Sequence, residues 1–291
     1  NTGSWDFDVL ANQFDMGDLM EWGFEEEELI GRGEDGGEGG GEDPGAGALP
    51  KQPKTELGRI YQLGRHILMC GDATDESDVK RLMGSDKADM VFTDPPYGIG
   101  LDKEGQTLGK SKQYGAVLND DSTAVAKKAI DIIFGLDIPL IFIWGGNYFA
   151  DILPPVPSWI IWDKQGGKHV TYADCEMAWT NSGKPARIFL HIWDGFRRDS
   201  EKGEERTHPT QKPVALFVEC MREMSKEAII VLDLFGGSGS TIIACEQTGR
   251  HCRMMELDPQ YVQVIIERWE KMTDETAIDI ESGKKWDEVD A

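Results

Sequence analysis

From residue 51 onward, short apolar or β-branched runs ending in turn residues alternate with stretches of helical periodicity. No other property of the chain restricts its fold as much. The apolar runs are Ala88–Thr93, Pro139–Trp144, Trp159–Trp162, Arg187–Ile192 and Ala228–Leu234, and helical patterns cover Thr123–Phe134, Val214–Lys226 and Tyr261–Met272. Alternation of this kind predicts an α/β fold: a mostly parallel sheet with helices on both faces. Ligands of such sheets bind beyond the carboxyl ends of the strands, near the point where strand order reverses. The strand-end residues are therefore where chemistry is expected. No internal repeat is visible.

Charge divides the chain. Its 291 residues carry 53 acidic and 30 basic side chains, a net charge of −23. Residues 1–50 hold 14 acids against the single base Arg32, and residues 272–291 hold seven acids against Lys284 and Lys285. The middle, 51–271, is left at only −5. Taken whole, the chain lacks the basic footprint of a nucleic-acid binder; taken by segment, that objection weakens, because the excess sits at the two ends. No apolar run reaches the roughly 18–20 residues of a membrane helix, and no charged-then-apolar leader is present. A membrane or secreted protein is thus not expected. Five cysteines, odd in number and never spaced C-x-x-C, point to reduced thiols in a cytoplasmic setting and to no zinc site.

These shifts predict four segments. Residues 1–30 interleave acids with Trp5, Phe7, Leu10, Phe14, Trp22 and Phe24, an acidic amphipathic segment that reads either as a partly helical tail or as a docking element. Residues 31–50 are glycine and acid with little to bury, a flexible linker. Residues 51–275 form the folded domain, and 276–291 an acidic C-terminal tail. Asn1 in place of methionine suggests a preceding part beyond this chain.

Two strand ends carry the chemistry. Val231-Leu232-Asp233-Leu234 runs into Phe235-Gly236-Gly237-Ser238-Gly239-Ser240-Thr241 and then an apolar helix. Glycines there let a ligand approach the backbone, and the helix start presents free N–H groups. Glu256, twenty positions past Gly236, is placed to accept hydrogen bonds from ribose hydroxyls. The dinucleotide spacing G-x-G-x-x-G is not met, since Ile242 stands at the third place, so the site suits a nucleoside without a pyrophosphate. The plainer account is a tight βα turn.

The second strand end is Met90-Val91-Phe92-Thr93-Asp94-Pro95-Pro96-Tyr97. Two prolines hold the turn rigid. They can aim the Asp94 carboxylate, the Pro95 carbonyl and the Tyr97 ring into one pocket, a set that suits a planar amine: two oxygens accept its N–H bonds while the ring stacks on its face. The plainer account is a strand-ending turn capped by Asp94.

Asp94-Pro95-Pro96-Tyr97 followed by Phe235-Gly236-Gly237-Ser238-Gly239 resembles the amino-group DNA methyltransferases that use S-adenosylmethionine, in the permuted motif order of their β class. The resemblance covers about residues 55–272. It implies a Rossmann-like methyltransferase fold with a mostly parallel seven-stranded sheet. It implies a catalytic set of Asp94, Pro95, Pro96 and Tyr97. Cys70-Gly71-Asp72-Ala73 resembles the family's segment whose acid meets the cofactor adenine, and His208-Pro209-Thr210-Gln211-Lys212-Pro213 the segment lining the methionine end. The implied cofactor contacts are Gly71, Asp72, Ala73, Thr210, Gln211, Lys212, Asp233, Phe235, Gly236, Gly237, Ser238, Gly239, Ser240, Thr241, Glu256 and Leu257. A tetrapeptide beginning with Asp is commoner in the adenine-N6 enzymes of this family and one beginning with Ser in the cytosine-N4 enzymes, so adenine leads and cytosine-N4 stays open. No proline precedes a cysteine, which removes the C5-cytosine class. Residues 5–30 and the linker also look like the region joining a ParB-like domain to a methyltransferase in prophage fusion proteins, implying a bacterial or phage-encoded enzyme.

The DNA partner, presenting a flipped adenine, is expected to meet Lys103, Lys110 and Lys112 in a glycine-rich lid over 98–118. Lys164, Lys168, Arg197 and Arg198 in a target-recognition region over about 163–207 are the other expected phosphate contacts. Solvated loop charge explains the same residues as well. A homodimer or a missing N-terminal domain could supply further contact. A non-catalytic module binding DNA, or a partner that docks on residues 5–30, is the alternative from another class.

Overall fold

The computed structural model describes residues 43–99, 121–164, 173–193, 200 and 211–289. The chain divides into two units, 1–38 and 39–291, and every described residue belongs to the second.

Ten strands form one sheet: β1 (Ile60–Leu63), β2 (His66–Cys70), β3 (Met90–Thr93), β4 (Leu140–Trp144), β5 (Trp159–Asp163), β6 (Cys175–Thr180), β7 (Arg187–Leu190), β8 (Ile230–Asp233), β9 (His251–Glu256) and β10 (Ile278–Asp279). Five helices accompany them: α1 (Glu76–Met83), α2 (Ala124–Gly135), α3 (Val214–Met224), α4 (Ser240–Gln247) and α5 (Pro259–Thr273). The strand order is β10-β1-β2-β9-β8-β3-β4-β6-β5-β7. The run β2-β9-β8-β3-β4 is parallel throughout, whereas β6 is antiparallel to both its neighbours and β1 to both of its own. The fold is thus α/β with a mixed, mostly parallel sheet. The seven strands from β2 to β5 match the expected core. The remaining three extend its edges: β7 falls within the expected run Arg187–Ile192 and pairs with β5 alone, whereas the short β1 and β10 were not among the expected strands.

The alternation of side chains explains why both faces are covered. Met90 and Phe92 of β3, Phe142 and Trp144 of β4, and Cys252 and Met254 of β9 enter one apolar layer with α3, α4 and α5. Their neighbours Val91, Ile141, Ile143 and Met255 enter the opposite layer with α1 and α2. A period of two along each strand dictates this division, and a strand apolar at every position must be covered twice. Phe92 packs edge-on against Phe217 at 4.8 Å between ring centroids, and Trp144 stacks on the same ring at 5.8 Å, which ties α3 to the sheet centre.

Two segment boundaries differ from expectation. Residues 276–289 are not a separate tail as far as they are described: β10 pairs with β1, and Ala277, Asp279 and Trp286 are buried. The cause is Trp286, whose ring meets Tyr61 edge-on at 5.9 Å. At the other end, Asp43 lies in the expected linker yet forms an ion pair of 2.5 Å with the fully buried Arg268, and the Gln260 side chain donates to the Pro50 carbonyl at 2.6 Å. The end of the linker is therefore held along α5.

Candidate active site

The chain leaves β3 for β4 on one side and β8 for β9 on the other, with α2 and α4 on opposite faces of the sheet. Strand order therefore reverses between β3 and β8, and a crevice opens at their carboxyl ends. The two loops that carry the predicted chemistry both start there. Thr93 Oγ1 donates to Asp233 Oδ1 at 2.7 Å, joining the last residues of the two strands. Asp233 Oδ1 also accepts from the Phe235 N–H at 3.0 Å, and the Leu234 N–H reaches Thr93 Oγ1 at 3.3 Å. Burial pushes the Asp233 carboxyl up to about 6, against hydrogen bonds from Thr241, Phe235 and Thr93.

On the β8 side the glycine turn is bound by backbone donors. The Gly236 N–H donates to the Met255 carbonyl at 2.8 Å, and the Gly237 N–H to Glu256 Oε2 at 2.7 Å. Glu256 Oε1 accepts from the Asp258 N–H at 2.8 Å. Gly239, at φ +88°, caps α4, and a Cβ there would come within 3.1 Å of Ile265, so the position demands glycine on two counts. Glu256 ends β9 with its carboxylate beside the turn. Burial pushes it up to about 7, against the Asp258 and Gly237 N–H bonds. The next strand end, β2, brings Gly71 and Asp72 alongside: the Gly71 N–H donates to the Glu256 carbonyl at 3.0 Å.

On the β3 side the site is made of charge. Tyr97 donates its hydroxyl to Asp94 Oδ1 at 2.6 Å, and the Lys212 ammonium pairs with Asp94 Oδ2. Lys212 also reaches the Tyr97 hydroxyl at 3.1 Å and Glu176 Oε2 at 3.3 Å. Glu176, near the start of β6, holds Lys164 through Oε1 at 2.9 Å. The Tyr97 ring stacks on Tyr148 at 4.8 Å and 12° and lies against Gly145, where a Cβ would come within 2.1 Å of it. Gly145 has φ +67°, so backbone conformation and ring contact both call for glycine.

Burial pushes the Asp94 carboxyl up, and Lys212 and the Tyr97 hydroxyl only oppose it. Burial also works against the Lys212 ammonium, but Asp94 and Glu176 outweigh it and hold Lys212 charged. Glu176 meets the same burial, yet Lys212 and Lys164 hold it below the usual carboxylate range. Of the two carboxylates sharing Lys212, Asp94 is the one left under-compensated. A cavity of about 370 Å³ opens beside this cluster, with Tyr97, Tyr148, Trp162, Glu176 and Lys212 in its wall.

A crevice with a carboxylate and a phenol on one side and a glycine turn with an acid on the other accords with comparison to known proteins. The family model for N6/N4-type DNA methylases matches residues 162–267. The Escherichia coli (strain K12) protein YubD, a methylase by name, is 26% identical over 203 residues, 64% of this chain and 85% of its own. The type II methyltransferase M.HpaI of Haemophilus parainfluenzae is 23% identical over 216 residues, 62% of this chain and 67% of its own. Among solved structures, the M1.HpyAVI–SAM complex aligns with a TM-score of 0.44 and 24% identity, over 69% of this chain and 98% of its own.

The structure distributes the predicted residues as follows. Asp94, Pro95, Pro96 and Tyr97 lie on one lip of the crevice, and Phe235, Gly237, Glu256, Leu257, Gly71, Asp72 and Ala73 lie along strand ends on the other. Asp233, Ser238, Ser240 and Thr241, also expected at the cofactor, are buried. Ser238 accepts from Arg268 through its carbonyl and Ser240 donates to the Lys212 carbonyl, so these residues fix the turn from behind. Lys212, expected at the methionine end, pairs with Asp94, with Gln211 beside it in the cavity wall. Lys164, expected on a phosphate, is engaged by Glu176. Thr210, Lys103, Lys110, Lys112, Lys168, Arg197 and Arg198 lie outside the described residues.

Sequence reasoning missed Glu176, Tyr148 and Trp144. An acid near the head of the otherwise apolar strand Cys175–Thr180 was the one trace of Glu176.

Proposed function

We propose that this protein is a DNA methyltransferase that transfers a methyl group from S-adenosylmethionine to the exocyclic N6 of adenine in DNA. The observation that carries the reading is the Thr93–Asp233 bond: it joins the strand end bearing Asp94 to the strand end bearing the glycine turn, so that donor and acceptor would meet across one crevice. The residues fit an adenosine with a free ribose. Glu256 keeps acceptor capacity beyond its two backbone partners, and Asp72 stands past the adjacent strand end. When bound there, S-adenosylmethionine supplies a sulfonium methyl group open to in-line displacement by an amine.

The chain's own residues supply the rest. The exocyclic nitrogen of a base is a poor nucleophile because its lone pair is delocalised into the ring. Asp94 and the Pro95 carbonyl accept its two N–H bonds, which favours a localised pair and stabilises the positive charge that develops; a preorganised group of this kind is worth roughly 10²–10³ in rate. Burial among Tyr97, Tyr148 and Trp162 excludes water and orients the base, and aromatic contact offsets part of the few kcal/mol lost on unstacking it. Tyr97 was expected to stack on the base, but Tyr148 covers one of its faces; the base therefore uses the other face or displaces Tyr148.

Asp as the first residue of the tetrapeptide supports adenine. Cytosine-N4 is the second reading, because its amino group beside a ring nitrogen presents the same edge to Asp94 and Lys212. Incubating the protein with tritiated S-adenosylmethionine and unmethylated duplex DNA, then digesting to nucleosides, should place the label on N6-methyladenosine. Label on N4-methylcytosine would transfer the assignment to the second reading, and an unlabelled DNA fraction would end both.

A further inference from the structure

Each oxygen of Asp94 already holds a partner in this structure. Oδ1 holds the Tyr97 hydroxyl at 2.6 Å and Oδ2 holds the Lys212 ammonium. An amine that is to donate to Asp94 must share an oxygen with one of them or displace it, and displacement leaves that oxygen wholly to the amine. Tyr97 is the harder to move: its ring is held by the stack with Tyr148 and by close contact with Gly145. Lys212 is the easier, because it ends a flexible stem and a second carboxylate, Glu176 Oε2, already lies 3.3 Å from its nitrogen. The rings of Tyr97 and Trp144, with centroids 5.4 and 5.6 Å from the same nitrogen, keep the ammonium favourably placed throughout so short a shift.

We propose that Lys212 is a latch on the catalytic carboxylate and that Glu176 is the positioning residue that receives it. When a target base enters, the ammonium moves from Asp94 Oδ2 to Glu176 and leaves Oδ2 to the base N–H. The inference rests on the methylase reading and deepens it. The exchange keeps charge balanced: the nitrogen that turns positive during transfer faces Asp94, while Lys212 faces Glu176. Without a second carboxylate the ammonium would stay on Asp94 and compete with the substrate.

The groups facing Asp94 are Tyr97 from its own turn, Lys212 ahead of α3 and Glu176 on β6, and Lys164 faces Glu176 from the end of β5. Removing either latch partner therefore moves the Asp94 titration in opposite directions. Glu176→Gln leaves Lys212 to Asp94 alone and removes a like charge, so the acid limb of the kcat–pH profile on duplex DNA should move to lower pH. Lys212→Gln strips Asp94 of its cation and should move the limb to higher pH, each by about one unit. At neutral pH Glu176→Gln should lower kcat about tenfold with little change in KM for DNA, and the Glu176→Gln/Lys212→Gln pair should regain part of that loss. A residue that merely supports the fold would give neither opposed shifts nor rescue.

The same titration can be followed without turnover, as the pH dependence of the difference in Tm between each protein and its Asp94→Asn counterpart. Shifts of one sign in both variants, or none, overturn the latch. If either variant fails to fold, the sign of the shift in the other decides. Absence of methyl transfer by the wild type would instead overturn the methylase reading, with the Tm measurement still testing the latch.

Discussion

The two lips of the crevice are built on different physical principles. On the β8–β9 lip, backbone N–H groups meet carboxylates from the same or the adjoining turn: Asp233 holds Phe235, two residues on, and Glu256 holds Asp258, two residues on, as well as Gly237. On the β3–β4 lip, side-chain charges come from separate segments, and Lys212 reaches Asp94 across 118 positions. A lip of the first kind is preformed once its strands pair. A lip of the second kind exists only after β4, β6 and α3 have packed, and its charges can be redistributed by what binds. With the proposed function, the comparison implies a rigid cofactor side facing a responsive base side.

The strongest test is Asp94→Ala. Turnover should fall about 10²–10³-fold while S-adenosylmethionine affinity, measured by calorimetry, changes less than about twofold. A parallel loss of cofactor binding would show the lips to be one unit and break the comparison. Next in size is Asp43→Ala, which acts beneath the cofactor lip. It strands the buried Arg268, whose guanidinium also donates to the Ser238 carbonyl at 2.9 Å. Breaking such a buried pair costs about 3–5 kcal/mol. Tm should drop by about 10 °C in a domain of this size, and cofactor affinity should fall with it.

Gly145→Ala probes the responsive lip alone. Its methyl group would overlap the Tyr97 ring, so kcat should fall about 10²-fold through misplacement of the ring, at a stability cost of about 1–3 kcal/mol. The smallest effect concerns pH. The Glu256 carboxyl, raised from its usual 4.5 to about 7, stays protonated in the fold where the unfolded chain has ionised. Its contribution to stability is therefore complete below pH 4.5 and is lost as pH rises toward 7. Glu256→Gln should flatten the Tm–pH curve between pH 5 and 7, leaving the slope due to Asp233; an unchanged curve would mean the carboxylate is better solvated than its burial implies.

This contrast also explains what could be read in advance. β3, β4, β5, β7 and β8 were visible as apolar runs, and α2, α3 and α5 as helical periods; in β3, β4 and β8 burial on both faces leaves a dense local signature. The glycine turn, Glu256 and the Asp94 tetrapeptide were visible for a related reason: each lies within a few residues of a strand end, where local backbone geometry and ligand chemistry coincide. β6 was not visible, since its first three residues are only partly buried and its pairing partners are distant. Glu176 was hidden with it. Lys212 was recognised as a site residue but given to the cofactor, because nothing near it in the chain indicates Asp94.

By itself the amino-acid sequence determined the α/β class, the two strand-end loops and the acid that follows the glycine turn, since those depend on periodicity and short-range spacing. Only the tertiary structure decided that one ammonium is shared between Asp94 and Glu176, that Asp233 and Thr241 lie behind the turn, and that Trp286 brings the acidic end of the chain onto the sheet. Those outcomes depend on strand order and on desolvation, and neither exists until the distant segments have packed together.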